Sequence, residues 1–123
     1  MAPSDKILIE TIASYSETLL RALRDYSIDK ETIADNLAFR GMTAFFVQQI
    51  GECAKKLSSE FKDNHSEIEW KAMGGLRNRI AHAYGRIDVE ILWDVVEHDI
   101  PKLLGFCKTI LEINNSEIKD IAA

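Results

Sequence analysis

In the stretch LRNRIAHAY, residues 76–84, an arginine and a histidine stand five positions apart, with Tyr84 two residues further on. An imidazole switches charge close to neutrality, which is what general acid–base catalysis needs. Arginine adds a planar, permanently charged fork that fits phosphate oxygens. From Lys71 to Arg86 the chain carries four basic residues, Lys71, Arg77, Arg79 and Arg86, and no acidic one. These types point to phosphodiester cleavage by Arg77 and His82, with Lys71, Arg79 and Arg86 available to a nucleic-acid backbone. An ordinary solvated basic face has the same composition, so the residues alone leave both readings open.

An element must position these groups. Met73, Leu76, Ile80 and Ala83 recur on one face of a 3.6-residue period. They predict a helix from Glu67 to about Tyr84, with a Ser66/Glu69 capping box and Gly85 as its left-handed stop. On that helix Asn78 and His82 are four apart and point away from the core, Asn78 being the natural hydrogen-bonding neighbour. In the last turn, His82 would feel the negative end of the helix dipole. Arg77 and His82 are about 140° apart on a regular helix, so they converge poorly within one chain. A two-fold dimer through this helix brings Arg77 of one copy near His82 of the other.

Competing sites are weaker. Glu52, next to Lys55 and Lys56, reads as a solvated helix pair. His65 and His98 lack companions at metal-ligand spacing. There is no phosphate-cradling glycine loop and no serine-nucleophile motif, so neither a metal nor a cofactor is implied. Trp70 and Trp93 read as core or interface aromatics.

The remaining chain reads as further amphipathic helix. Leu8, Ile12, Tyr15, Leu19, Ala22 and Tyr26 form one stripe, capped by Ser4 or Asp5. A longer pattern from Glu31 to Phe61 follows, with its seam on Ile33, Leu37, Phe46, Ile50, Cys53, Ala54, Leu57 and Phe61. Within it Gly41 marks a bend and Gly51 admits a neighbouring helix. Asp88 caps a helix through Ile91, Leu92, Val95 and Val96, and Pro101 forces a kink or restart near Asp99. The tail NNSEIKDIAA is expected to fray. The fold class that follows is all-α, an up-down bundle of four to five helices in a single domain, 1–123.

Composition sets outer bounds. Apolar residues make up 46% of 123, enough for one compact core. Twenty acidic against 15 basic residues give a net charge of −5, which argues against a general nucleic-acid coat protein but not against a local basic site. Cys53 and Cys107 sit in apolar patterns without a CxxC, as reduced buried thiols would. The start MAPSDKILIE lacks a leader's basic and apolar regions, and no window suits a membrane span, so a cytoplasmic location is expected.

The stretch IEWKAMGGLRNRIAHAYGRIDVEILWDVVEHDIPKLL resembles the signature half of the HepT-like proteins of the HEPN superfamily, and FFVQQIGECAKKLSSEF resembles the helix before it. A lone R-x4-H is a weak signal. The longer string of tryptophan, glycine, R-N-x3-H-x-Y, I-D, tryptophan and D-x-P is specific. The resemblance implies a homodimeric four-helix toxin that cleaves RNA (mRNA or tRNA) without metal, with Arg77 and His82 catalytic and Asn78 supporting. It also implies a nucleotidyltransferase antitoxin that adenylylates Tyr84. Where such proteins commonly carry an aromatic after the tyrosine, this chain has Gly85. A non-catalytic helical dimer that binds a nucleotidyltransferase or a nucleotide is the alternative.

Overall fold

The structure is a computed structural model that describes residues 1–122, with side chains through residue 115. Its described residues form no strand, so the chain is all-α. In order come α1 (Pro3–Asp25), α2 (Lys30–Asp35), α3 (Leu37–Lys56), α4 (Ser59–Asn64), α5 (Trp70–Gly74) and α6 (Leu76–Ile80). A 3₁₀ turn (Ala83–Gly85), α7 (Val89–Asp94), a π-turn (Val95–Asp99) and α8 (Ile100–Ala122) complete it. The four or five helices read from the sequence are thus cut into shorter pieces.

Each cut has a local cause. The long second pattern breaks not at Gly41, around which space is open, but at Asn36. There the extended backbone ends α2, and the Asn36 side chain accepts the Phe39 N–H at 3.0 Å to cap α3. Ser58 divides α3 from α4 in the same way, its hydroxyl accepting the Phe61 N–H at 3.1 Å. Ser58 in turn donates its backbone N–H and its hydroxyl to the Asp5 carboxylate, at 2.9 and 2.6 Å. Asp5 is therefore a buried tether and not the expected cap; Ala2 occupies that position, with Pro3 at the first turn.

The core is one continuous cluster. α1 packs against both α3 and α8, so its buried line runs through Ile9, Ile12, Leu19 and Leu23. That line is rotated from the expected stripe: Leu8, Tyr15 and Ala22 lie on its flank, and Tyr26 is exposed. In α3, Val47, Ile50 and Ala54 are buried, while Leu37 is exposed. Gly51 has its expected role. A Cβ there would stand 2.9 Å from the Met73 carbonyl oxygen and 3.0 Å from the Leu76 Cβ, so its absence lets α5 and α6 lie on α3.

The restart expected near Asp99 is present, with α8 beginning at Ile100, one residue before Pro101. The wider π-turn at Val95–Asp99 precedes it, and helix continues on both sides, which accommodates the missing donor. The tail expected to fray is instead helical through Ala122, as the last turns of α8. Cys107 is fully buried, and burial pushes its thiol up to about 12. Cys53 is half-buried and is also raised, first by desolvation. No described helix is long and apolar enough to cross a membrane.

Candidate active site

α6 is little more than one turn, and its two anchors are Leu76 and Ile80, both fully buried. Burying such a side chain contributes roughly 1.5–3 kcal/mol, so two of them fix a short helix that could not persist alone. Gly75 precedes it, and the Gly75 N–H bonds the Lys71 and Ala72 carbonyls to close α5. The Ser66/Glu69 capping box does not form: Glu69 precedes α5 without a side-chain cap. Trp70 instead ties the segment down by donating its indole N–H to the His65 carbonyl at 2.8 Å.

The helix stops at Ile80, four residues earlier than its periodicity suggests. Ala81 is extended, His82 is extended, and Ala81 pairs with Ile87 in an isolated antiparallel bridge. The His82 N–H donates to the Arg86 carbonyl at 2.6 Å, and the Asp88 N–H to the Ile80 carbonyl at 2.7 Å. Residues 81–87 are thus a small hairpin loop. Tyr84 at its tip has φ 61° and ψ 33°, followed by Gly85 at φ 74°. Two successive left-handed residues reverse the chain, which is why a glycine is useful after the tyrosine. Tyr84 is 100% exposed.

This loop overturns the helical-wheel argument. His82 is not in a last helical turn, so the dipole is not its partner, and the 140° separation from Arg77 does not apply. Asn78 is no longer one turn from it and makes no side-chain hydrogen bond to it among the described residues; Asn78 faces a groove with Lys55, Lys62 and Lys71. What faces His82 is Asp88: its Oδ2 lies 3.9 Å from Nδ1, while its Oδ1 accepts the Ile91 N–H at 3.1 Å and caps α7. With Nδ1 turned to a carboxylate, Nε2 is the nitrogen left for a substrate.

Arg77 has a parallel arrangement. Its Nε lies 4.0 Å from Glu52 Oε1, across from α3. Glu52 therefore faces Arg77 across the α3–α6 contact, and Asp88 faces His82 as well as capping α7. Sequence spacing offered no signal for either pairing, because both depend on how α3 and α7 pack around α6. Arg77 and His82 keep 61% and 63% of their side chains exposed. Arg79, grouped with Lys71 and Arg86 as an RNA contact, is committed elsewhere: its Nη1 donates to Asp99 Oδ2 at 2.8 Å, tying α6 to the π-turn. Arg86 is exposed and has no acidic partner within 4.0 Å among the described residues.

An exposed guanidinium and an exposed imidazole, each faced by a carboxylate on a small all-α scaffold, define a site suited to acid–base chemistry on a phosphate. The chain belongs to the HepT-like family: residues 9–110 match the family described as "Ribonuclease HepT-like". It is 33% identical over 105 residues to a probable ribonuclease HepT of Thermococcus cleftensis, covering 85% of this chain and 94% of that one. It is 29% identical over 104 residues to a candidate RNase of Caldanaerobacter subterraneus, covering 85% and 91%. A candidate RNase of Methanocaldococcus jannaschii shares 33% over 76 residues, covering 62% and 70%. No solved structure matches the chain.

Proposed function

We propose that this chain is an endoribonuclease, the toxin of a type VII toxin–antitoxin pair, working in the cytoplasm as a homodimer of four-helix bundles. The observation that carries the reading is the pair of exposed groups, Arg77 and His82, each backed by its own carboxylate, in a member of a ribonuclease family. In the reaction, the ribose 2′-oxygen attacks the adjacent phosphorus and the 5′-oxygen leaves, giving a 2′,3′-cyclic phosphate and a 5′-hydroxyl. His82 carries the proton through Nε2, while Asp88 holds the ring by its other nitrogen. Arg77 stabilises the charge that builds on the phosphorane oxygens. Glu52 aims the guanidinium. The scheme assigns every role to a side chain and calls on no metal.

The exposure of both groups supports a dimer. A scissile phosphate held by one chain would stand in open water, where electrostatic stabilisation is weak. A second copy packed two-fold over this face encloses it and doubles the basic surface. With residues 81–87 in a loop, the support for this dimer is the open site and not helical spacing.

Control is assigned to Tyr84. Its fully exposed phenol, on a left-handed loop tip two residues from His82, is the most accessible nucleophile near the site. A nucleotidyltransferase antitoxin would direct the phenol oxygen onto the α-phosphorus of ATP, releasing pyrophosphate and leaving AMP on the tyrosine. The added anion would then repel an incoming RNA phosphate.

Cleavage of total RNA and purified tRNA is the test, with wild type beside Arg77→Ala and His82→Ala. Cut RNA with wild type alone supports the reading. If all three proteins are equally inert, the non-catalytic binding alternative replaces it. Intact mass after incubation with ATP and the partner should rise by one AMP, and should not in Tyr84→Phe.

A further inference from the structure

One feature beside the site has no part in that scheme. Lys55, Lys62, Trp70, Lys71, Gly74 and Asn78 line an open groove of about 460 Å³ between the end of α3 and the α5–α6 segment. Three lysines line it and no acidic residue does. On a chain of net charge −5, none of the three has a carboxylate within 4.0 Å among the described residues. Lys62 donates to the Lys55 carbonyl at 3.0 Å, which anchors its ammonium over the end of α3. Gly74 lies directly against Lys55, where an added Cβ would make ordinary contact with the Lys55 Cα at 3.4 Å. Clustered like charges repel, so three lysines without a carboxylate partner are stabilised by an added anion.

We infer that this groove is a subsite for the single-stranded RNA backbone, holding phosphates next to the one that is cut. The inference rests on the ribonuclease reading and deepens it. The groove shares elements with the motif: Asn78 lines it and follows Arg77 on α6, while Lys55 lies about one helical turn beyond Glu52, the residue facing Arg77. Its chemistry suits backbone and not bases. Lysine is a hydrated point charge that neutralises phosphate without reading sequence. Trp70 is only 7% exposed and its indole N–H is already bonded, so it is a wall and not a stacking platform. An acidic protein would be expected to bring apolar anchors, and the groove offers no exposed apolar side chain to receive them.

The test is fluorescence anisotropy with a single-stranded 2′-O-methyl oligonucleotide, which lacks the attacking hydroxyl and cannot be cut. Wild type, Lys55→Gln/Lys71→Gln and the remote control Lys6→Gln/Lys108→Gln are titrated at several salt concentrations. The groove variant should bind at least about tenfold more weakly at ~0.1 M salt, with a log–log salt slope shallower by about 1.4, two phosphate contacts at ~0.7 each. Equal affinity and slope in wild type and groove variant overturn the subsite. So does an equal loss in the remote control, which would mean diffuse attraction, or a lysine-dependent gain for a polyglutamate peptide with none for the oligonucleotide. If lysine-dependent binding is found but wild type cuts no RNA, the subsite stands and the catalytic reading fails.

Discussion

Arg77 and Arg79 stand two residues apart on the same short helix, yet they do different work. Arg79 points toward the body of the protein, where its guanidinium meets Asp99 at 2.8 Å and both side chains are largely covered. Arg77 points outward, and its carboxylate partner stands off at 4.0 Å. A close, sheltered pair satisfies both charges and leaves little for a ligand. A loose, wet pair restrains the arginine without exhausting it, so a phosphate can displace the carboxylate. His82 and Asp88 belong with the second kind, at 3.9 Å. Identical residue types on one helical turn are thus separated by distance and exposure into one engaged arginine and one open to a ligand.

The largest effect should come from the outer pair. His82→Ala is expected to lower RNA cleavage by about 10²–10⁴-fold, the usual worth of a positioned acid–base group. The thermal midpoint should stay within a degree or two, because the ring is mostly in solvent. A cleavage rate close to wild type would end the catalytic assignment. A large fall in the midpoint would instead put His82 with Arg79 among the residues that hold the fold.

The inner pair should answer in the opposite sense. Arg79→Ala leaves Asp99 partly covered without its cation, at a cost of about 1–3 kcal/mol in a urea titration. Cleavage per folded molecule should not change. A double-mutant cycle with Asp99→Asn separates the pair from its surroundings. If Arg79→Ala instead raises KM for RNA with stability intact, the ion pair is not where this arginine acts.

Asp88 tests whether one residue can belong to both kinds. Asn is as good a helix cap as Asp, so Asp88→Asn should keep stability while lowering kcat about tenfold with KM little changed. Asp88→Ala should lose the cap as well, adding about 1 kcal/mol of destabilisation. A cap-only role predicts that Asn is silent in both readouts.

These contrasts mark what could be read along the chain. Helical class follows from periodicity. Gly51 as a close approach and Asp88 as a cap follow from residue type, because packing room and capping are local properties. The end of α6 did not follow. Met73, Leu76, Ile80 and Ala83 keep a helical period, but Ala83 is exposed, so the last term of the series carried no packing information. What stops the helix is the Asp88 N–H reaching back to the Ile80 carbonyl, a contact eight residues apart that no propensity encodes. The roles of Glu52 and Asp99 were hidden for the same reason: each carboxylate comes from another element. The buried face of α1 departs from its periodic stripe because α3 and α8 cover the helix from two sides, which widens and turns that face.

The smallest effect should come from the loop tip. Tyr84 holds φ at 61° with its side chain in solvent, so it bears the cost of a left-handed backbone with no visible compensation. Asparagine tolerates that region better, so Tyr84→Asn should stabilise the isolated chain by a few tenths to about 1 kcal/mol. Chemical denaturation of dilute and concentrated samples, run side by side, makes the result diagnostic. A gain at both concentrations means that the ring is strained into place for something other than folding, as a modification site would be. A loss that appears only in the concentrated sample means that the ring packs against a second copy, which would make dimerisation the reason for the strain.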